Sequence, residues 1–317
     1  MKKTILFAVA AMLTLAANAR ILRVNNTSGS SAPYQTIETA IETAAEGDTI
    51  MVDASTQTYG PVDINKRVVV LGTGYWLAEN GITEEGPSYA MMGSGVQNPT
   101  ITAEGVVIKG MTFYRDITVK AAKAVINKCH FGGSIRLEGA DNCIIHQNIV
   151  SVGIQSDQYN KSSYCQVTNN IIIDEINGFV DSYIAYNTIH IINGGYLTNY
   201  NLYTCKGCTV EYNWSTVDLK LDPTAAANNN FSANYVSEDY KEVLHKCRYD
   251  QDGITDRDIA NLKVDAQLRS TYGAFAGATP YIISGVPAGP VIQDLIVPAS
   301  VERGSKLQVT IKVGMQQ

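Results

Sequence analysis

Polar side chains that could bind ligands or transfer protons alternate along three short segments of the chain. The candidates are Arg136, Glu138, Gln155, Asp157, Asp218, Lys220 and Asp222. Side chains two residues apart in a β-strand lie on the same face, so each segment predicts a row of polar groups pointing outward. A carboxylate beside a Lys or Arg can hold a polar ligand, and a group that accepts a proton there can act as a general base.

Cysteine and histidine could supply other chemistry. Cys205 and Cys208 have the spacing of redox pairs, but they lie in a loop and not in a strand-to-helix unit. The other four cysteines show no zinc pattern, and none of the four histidines has a metal-ligand spacing. We expect His130, His146 and His190 to point outward on a solvated surface without a function.

A seven-residue phrase recurs between residues 107 and 236 and must position these groups. Its second residue is apolar, its fifth is usually Asn, and its seventh is usually apolar. The fifth positions are Met111, Cys129, Asn148, Asn170, Asn187, Asn213 and Asn234. Steps of about 20 residues with uneven increments predict one structural coil per repeat, with insertions confined to loops.

Each repeat predicts short strands joined at the Asn. Apolar residues alternate before and after it, and Asn tolerates the left-handed conformation of a tight turn, so we place the turn there. Stacked amides can also bond to one another from coil to coil. A third strand follows at a fixed offset in residues 117–119, 135–137, 154–156 and 219–221. We expect the two coils between the last two of these segments to lose this register.

Three strands per coil indicate a parallel β-helix, with Ile108, Ile126, Ile145, Val167, Ile184, Val210 and Phe231 in one buried stack. Over about residues 34–236 the chain resembles the right-handed parallel β-helix proteins of the pectin-lyase-like group. The expected fold class is all-β: a right-handed parallel β-helix solenoid with an amino-terminal capping helix and a short carboxy-terminal β tail. We expect the β-helix with its caps over 20–270 and a Gly/Pro-rich linker with a two-strand tail over 271–317.

The repeat also predicts where three of the cysteines lie. Cys143, Cys165 and Cys208 each directly precede the phrase, where Ala124 and Ser182 stand in other coils. This register points them inward, so the favoured interpretation is a stack of small buried side chains in which the thiols act as small apolar groups.

The resemblance suggests a role for the outward row. Lyases of acidic polysaccharides with this fold need carboxylates, usually acting through calcium, and a Lys or Arg that removes a proton. Lys220 or Arg136 would be that base, and Asp157, Asp218 and Asp222 would lie on the metal side. Glu138 and Gln155 would contact the substrate. The favoured interpretation is that alternating charge solvates an exposed sheet.

Composition limits the partners. Residues 1–19 combine Lys2 and Lys3, an apolar run and Ala17-Asn18-Ala19, which is typical of a signal peptide. Removal of residues 1–19 leaves 22 Lys+Arg (24 minus 2) against 30 Asp+Glu, which is a net charge of −8. This charge argues against nucleic acid, and no later segment is apolar enough to predict a membrane span.

We therefore expect a secreted or periplasmic β-helix protein. Its predicted function is non-catalytic contact with a polysaccharide or a cell-envelope component, without a cofactor. The alternative is a polysaccharide lyase or hydrolase acting on an acidic glycan, with calcium expected if it is a lyase.

Overall fold

The computed structural model describes residues 19–82, 86–87, 89–190, 205–216, 219, 228–248, 253–287, 290–296, 306 and 309–315. Within these ranges the strands, numbered in chain order, form three parallel sheets and one antiparallel pair. The prediction of an all-β parallel β-helix is confirmed.

Successive coils add strands to three parallel sheets, although within the described residues not every coil has a strand in all three. The ten-stranded sheet contains β1 (Ile21–Val24), β2 (Thr49–Val52), β4 (Val69–Leu71), β7 (Val107–Lys109), β10 (Val125–Asn127), β13 (Ile144–His146), β16 (Gln166–Thr168), β19 (Tyr183–Ala185), β21 (Thr209–Glu211) and β23 (Asn230–Ser232). The eight-stranded sheet contains β5 (Met91–Met92), β8 (Thr112–Phe113), β11 (His130–Phe131), β14 (Ile149–Val150), β17 (Ile171–Ile172), β20 (Thr188–Ile189), β22 (Trp214–Ser215) and β24 (Tyr235–Val236).

The six-stranded sheet contains β3 (Asp63–Ile64), β6 (Thr100–Ile101), β9 (Ile117–Val119), β12 (Ile135–Leu137), β15 (Gly153–Ser156) and β18 (Glu175–Asn177). β25 (Pro290–Ile296) and β26 (Thr310–Met315) pair antiparallel. The helices are α1 (Ile37–Thr43), α2 (Lys241–Arg248), α3 (Asp256–Asn261) and α4 (Ala266–Thr271), with 3₁₀ turns at Glu238–Tyr240 and Ile283–Gly285. None of the helices in the described ranges is long and apolar enough to cross a membrane.

The predicted inward stack is present in the predicted register. Its seven members pair directly from strand to strand, and all are buried except Phe231, which is partly buried. The stack continues toward the amino terminus through Val70, Ile50 and Leu22. Burial of this column removes apolar surface from water in every coil, which favours stacking over separate coils.

The turn between the first two strands differs from the prediction in one respect. The left-handed residue is the one before the fifth position of the phrase: Gly110, Lys128, Gln147, Asn169, Tyr186, Tyr212 and Ala233 all have a positive φ. Placing that conformation on the Asn itself is therefore wrong. The turn instead directs the Asn side chain into the interior, where the amides form a continuous ladder through the coils.

The amino-terminal coil carries α1 on its flank. Thr36 caps the helix by accepting a hydrogen bond from Thr39 N–H, and Ile37, Ala40 and Ile41 are buried. Asp48 follows the helix and accepts hydrogen bonds from the backbone and guanidinium of Arg20. These bonds hold the pKa of Asp48 down at about 2.

A second apolar core covers the outer face of the eight-stranded sheet. Apolar side chains within residues 240–247 and 254–281, together with Tyr75 and Trp76, pack there against Ile149, Ile171 and Trp214. The prediction that His130 and His190 face solvent is wrong, because this layer covers them. His190 is buried, and the His130 ring lies 4.5 Å from that of Trp76, where burial lowers its pKa to about 4.

Residues 273–287, here called the strap, lie within the range predicted as a linker. They run along the left-handed turns of successive coils. Gly273 N–H bonds to Tyr212 O at 2.9 Å, and Lys128 Nζ lies 3.4 Å from Val286 O near the other end. The division of the chain into domains stays a prediction.

Candidate functional site

The six-stranded sheet exposes a row of polar side chains on its outer face. Strand pairing places Arg136 of β12 beside Gln155 of β15, and Gln155 beside Asn177 of β18. The neighbours of these residues in their strands, such as Ile135, Ile154 and Ile176, are buried. The apolar interior therefore fixes the orientation of the strands, and alternation directs the polar side chains outward.

A groove of about 310 Å³ opens over these strands. Its lining residues are Arg136, Leu137, Glu138, Gln155, Ser156, Asp157, Gln158 and Asn177. Four of the candidates predicted from the sequence, Arg136, Glu138, Gln155 and Asp157, thus lie together. Asp218, Lys220 and Asp222 lie outside the described residues, so their part in the site stays a prediction.

Hydrogen bonds connect the side chains along the groove. Arg136 Nε bonds to Asp116 Oδ2 at 2.9 Å, and its Nη1 lies 3.4 Å from Gln155 Oε1. Gln155 Nε2 and Asn177 Nδ2 both donate to Glu175 Oε1, at 3.1 and 2.7 Å. The row is a pre-organised set of polar groups, because each side chain is held by the next.

Glu175 anchors one end of this row. Burial raises the pKa of its carboxyl, the nearby Asp174 raises it further, and the bonds from Asn177 and Gln155 oppose both effects. Its direct strand partner is Gly153, whose position has no room for a side chain because an added Cβ would lie 2.8 Å from Glu175 O. The missing side chain leaves Glu175 in reach of the Gln155 amide.

The acidic side chains of the groove already have partners. Glu138 Oε2 lies 3.3 Å from Lys120 Nζ in the adjacent strand. Asp157 Oδ1 accepts the backbone N–H groups of Tyr159 and Asn160, at 2.8 and 2.7 Å, and so fixes the turn after β15. Within the described ranges, no three His, Cys, Asp or Glu side chains are grouped as metal ligands.

An exposed aromatic ring follows the groove in the chain. Tyr159 comes directly after Gln158, which lines the groove, and its side chain is 89% exposed. Asp157 holds the backbone of this turn, so the ring projects from a defined loop. Amphipathic aromatic side chains offer a flat apolar face and a hydroxyl to a ligand.

Asn177 was not among the predicted site residues, although the sequence contains a signal for its coil. The expectation that the coil after β15 loses the register is wrong, because β18 pairs with β15. Ile176 lies six residues after Asn170, the same offset that separates Ile117 from Met111. The same offset therefore predicts that the polar residues on either side of Ile176 belong to the outward row.

The inward cysteines lie where the sequence predicts them. Cys143, Cys165 and Cys208 are buried together with Ala124 and Ser182. They occupy the corner between the six-stranded and ten-stranded sheets, on the interior side, so they do not line the groove.

Comparison with known proteins gives little beyond the architecture described above. No family model matches the chain, and no curated protein matches its sequence. Among solved structures, the pectin methylesterase from Aspergillus niger in deglycosylated form is similar, with a TM-score of 0.40 and 12% identity. The similarity covers 70% of this chain and 87% of the other.

Proposed function

We propose that this chain is an exported protein that binds a glycan in the groove of the six-stranded sheet and does no chemistry on it. The observation that carries the proposal is the connected row of Arg136, Gln155, Glu175 and Asn177. Sugar hydroxyls both donate and accept hydrogen bonds, and amide, guanidinium and carboxylate groups held in fixed positions match both roles.

The charges in the groove favour a neutral glycan over an acidic one. Among the lining residues that the structure describes, Arg136 is the cation, and its guanidinium is bonded to Asp116. The same lining includes the carboxylates Glu138 and Asp157, and Glu175 lies directly beneath. A polyanion bound here would meet more negative than positive charge, which disfavours it.

The geometry of the sheet and the exposed ring also support a sugar polymer. Coils stack about 4.8 Å apart, so the outward row repeats along a straight axis that an extended chain can follow. Tyr159 could stack on a sugar ring at the rim of the groove, because its side chain is exposed and its backbone is held.

A glycan array followed by calorimetry tests this proposal. We expect the wild-type protein to bind a neutral oligosaccharide, and Gln155→Ala to weaken that binding about tenfold, the loss of roughly one to two hydrogen bonds. Gln166→Ala is the matched control, because Gln166 is exposed on the ten-stranded sheet. Equal affinity for both variants, or no neutral binder on the array, would contradict the proposal.

The catalytic alternative is supported by the position of Arg136, Glu138 and Asp157 in one groove. For Arg136 to act as the base, its guanidinium would have to leave the ion pair that it forms with Asp116. The other candidate base is Lys220. Under the binding proposal, uronic-acid polysaccharides with or without calcium give no rise in ultraviolet absorbance. A rise that is abolished by Lys220→Ala or Arg136→Ala would replace glycan binding with β-elimination.

Export rests on the amino-terminal pattern of residues 1–19, of which 1–18 lie outside the described ranges. A secreted or periplasmic location stays a prediction, as does a cell-envelope component as the source of the glycan.

A further inference from the structure

Cys205 and Cys208 lie at the corner that leads into β21, and both are fully buried. Gly207 between them has a φ of +68°, and an added Cβ there would lie 2.0 Å from Asp181 Oδ1. Only glycine fits this turn without a shift of its neighbours. The sequence Cys205-Lys206-Gly207-Cys208 therefore forms a tight turn, which brings the ends of the four-residue segment together.

A single side chain holds both ends of this turn. Asn229 Nδ2 donates to Cys205 O at 2.9 Å, and Asn229 Oδ1 accepts from Cys208 N–H at 2.7 Å. Cys208 Sγ donates to Phe179 O at 3.5 Å, and the two thiols are near enough for each to shift the pKa of the other. The hydrogen bond from the Cys205 thiol lowers the pKa of Cys208, and the same contact, with burial, raises the pKa of Cys205. The pair therefore has one thiol suited to attack and one held protonated.

We propose that Cys205 and Cys208 form a disulfide when the chain folds in the presence of a low-molecular-weight disulfide. The Cys208 thiolate attacks one sulfur of that disulfide, which forms a mixed disulfide and releases a thiolate. Cys205 then transfers its proton to solvent and attacks Cys208 Sγ, which releases the second small thiol. The two protein thiols are oxidised and the small disulfide is reduced to two thiols, so atoms and electrons balance.

Cys143 and Cys165 provide an internal comparison. Their thiols are buried, and each shifts the pKa of the other. These residues directly precede β13 and β16, and Gln166 N–H bonds to Cys143 O at 2.8 Å, so they stack from coil to coil. The strand spacing of about 4.8 Å is within the Cα separation of disulfides, but side chains that stack directly in parallel strands give a disulfide unfavourable torsion angles. We expect this pair to stay reduced.

Peptide mapping of the full chain tests whether Cys205 and Cys208 form a disulfide. The reduced, unfolded protein is refolded in a buffer of reduced and oxidised glutathione, its remaining thiols are alkylated in denaturant so that buried thiols also react, and it is digested without reduction. We expect the peptide with Cys205 and Cys208 to be unalkylated and lighter by two hydrogen atoms, and Cys143 and Cys165 to be alkylated. Alkylation of Cys205 and Cys208 in the folded protein, or a link between Cys143 and Cys165 instead, would overturn the proposal.

Thermal unfolding gives a second measurement. We expect a reductant to lower the Tm of the oxidised wild type by roughly 3 °C, as for a short closed loop. The Tm of Cys205→Ser should not respond to the reductant, whereas Cys143→Ser should respond as the wild type does. A reductant effect that persists in Cys205→Ser would contradict the assignment. The wild-type peptide map is decisive where a serine variant does not fold.

Discussion

At the residue scale, the interior asparagines show how one side chain can join three coils. Asn170 Nδ2 donates to Asn187 Oδ1 at 3.0 Å and to Ile145 O at 2.9 Å. Asn170 Oδ1 accepts the backbone N–H and the side-chain amide of Asn148, both at 2.9 Å. All four partner atoms are buried away from solvent, so no water replaces a lost bond.

Replacement of Asn170 by Leu should therefore destabilise the whole domain. We expect Asn170→Leu to lower the free energy of unfolding by about 1 to 3 kcal/mol, because buried donors and acceptors in two neighbouring coils lose their partner. Lys109→Ala, on the outward face of β7, should change it by less than about 0.5 kcal/mol. Urea denaturation measures both values, and equal midpoints would refute a stabilising role for the ladder.

At the element scale, the strap is bound through the left-handed turns. Asn169 Nδ2 donates to Ala274 O and Ala276 O, at 3.1 and 2.8 Å, and Gln147 Nε2 donates to Thr279 O at 3.3 Å. These side chains point outward because the turn residue lies outside the two strands that it joins. The positive φ of the turn residue therefore has two effects. It directs the Asn at the next position into the interior, and it places the side chain of the turn residue where it can donate hydrogen bonds to the strap.

This arrangement predicts opposite effects for the same type of substitution at two turns. Asn169→Gly keeps the positive φ but removes the donor to Ala276 O and one of the two donors to Ala274 O, which still accepts Tyr281 N–H, so we expect a loss of about 1 to 3 kcal/mol. Ala233→Gly relieves a left-handed alanine that is exposed, so we expect a gain of up to about 1 kcal/mol. Limited proteolysis should cut the strap faster only in Asn169→Gly. Equal cleavage rates in the two variants would contradict the role of Asn169.

At the scale of the whole molecule, a buried carboxylate joins segments that are far apart in the sequence. Asp256 accepts bonds from Asn80 Nδ2 at 2.8 Å, Tyr281 Oη at 2.9 Å and Ser284 N–H at 2.6 Å. Tyr281 also bonds to the hydroxyl of Tyr75. Burial raises the pKa of Asp256, against the effect of these hydrogen bonds. The network fastens the strap and α3 to the segment that follows β4.

Asp256→Ala should detach this layer from the eight-stranded sheet. We expect a loss of about 3 kcal/mol, because three buried donors lose their acceptor. Since the folded-state pKa is raised, the stabilisation from this group is fullest below about pH 4 and declines as the pH rises, so the difference should be larger at low pH.

Asp265→Ala is the control, because Asp265 is an exposed cap of α4 whose side chain bonds only to Gln267 N–H and Leu268 N–H among the contacts described. Its loss should be limited to about 1 kcal/mol. Hydrogen exchange in residues 273–287 measures the effect on the strap. Unchanged exchange in Asp256→Ala would show that the layer is held elsewhere.

The sequence determined the coils, the inward stack and part of the candidate site. The repeat of about 20 residues and the alternation within it carry that information locally, because neighbouring coils use the same pattern to bury the same positions. The register that buried Ile135 and Ile154 therefore also placed Arg136, Glu138, Gln155 and Asp157 on one outward row. Asn177 lies at the same offset, but the prediction that its coil loses the register left it out.

Only the tertiary structure decided which faces of the coil stack stay open. The layer over the eight-stranded sheet is held by contacts such as those of Asp256 with Asn80 and of Asn169 with Ala276, between residues more than 100 positions apart. These contacts follow no repeat, so neither periodicity nor spacing could predict them. The groove on the six-stranded sheet is open to solvent because this layer packs on the eight-stranded sheet instead. Which sheet the layer covers depends on which surfaces fit together once the whole chain has folded.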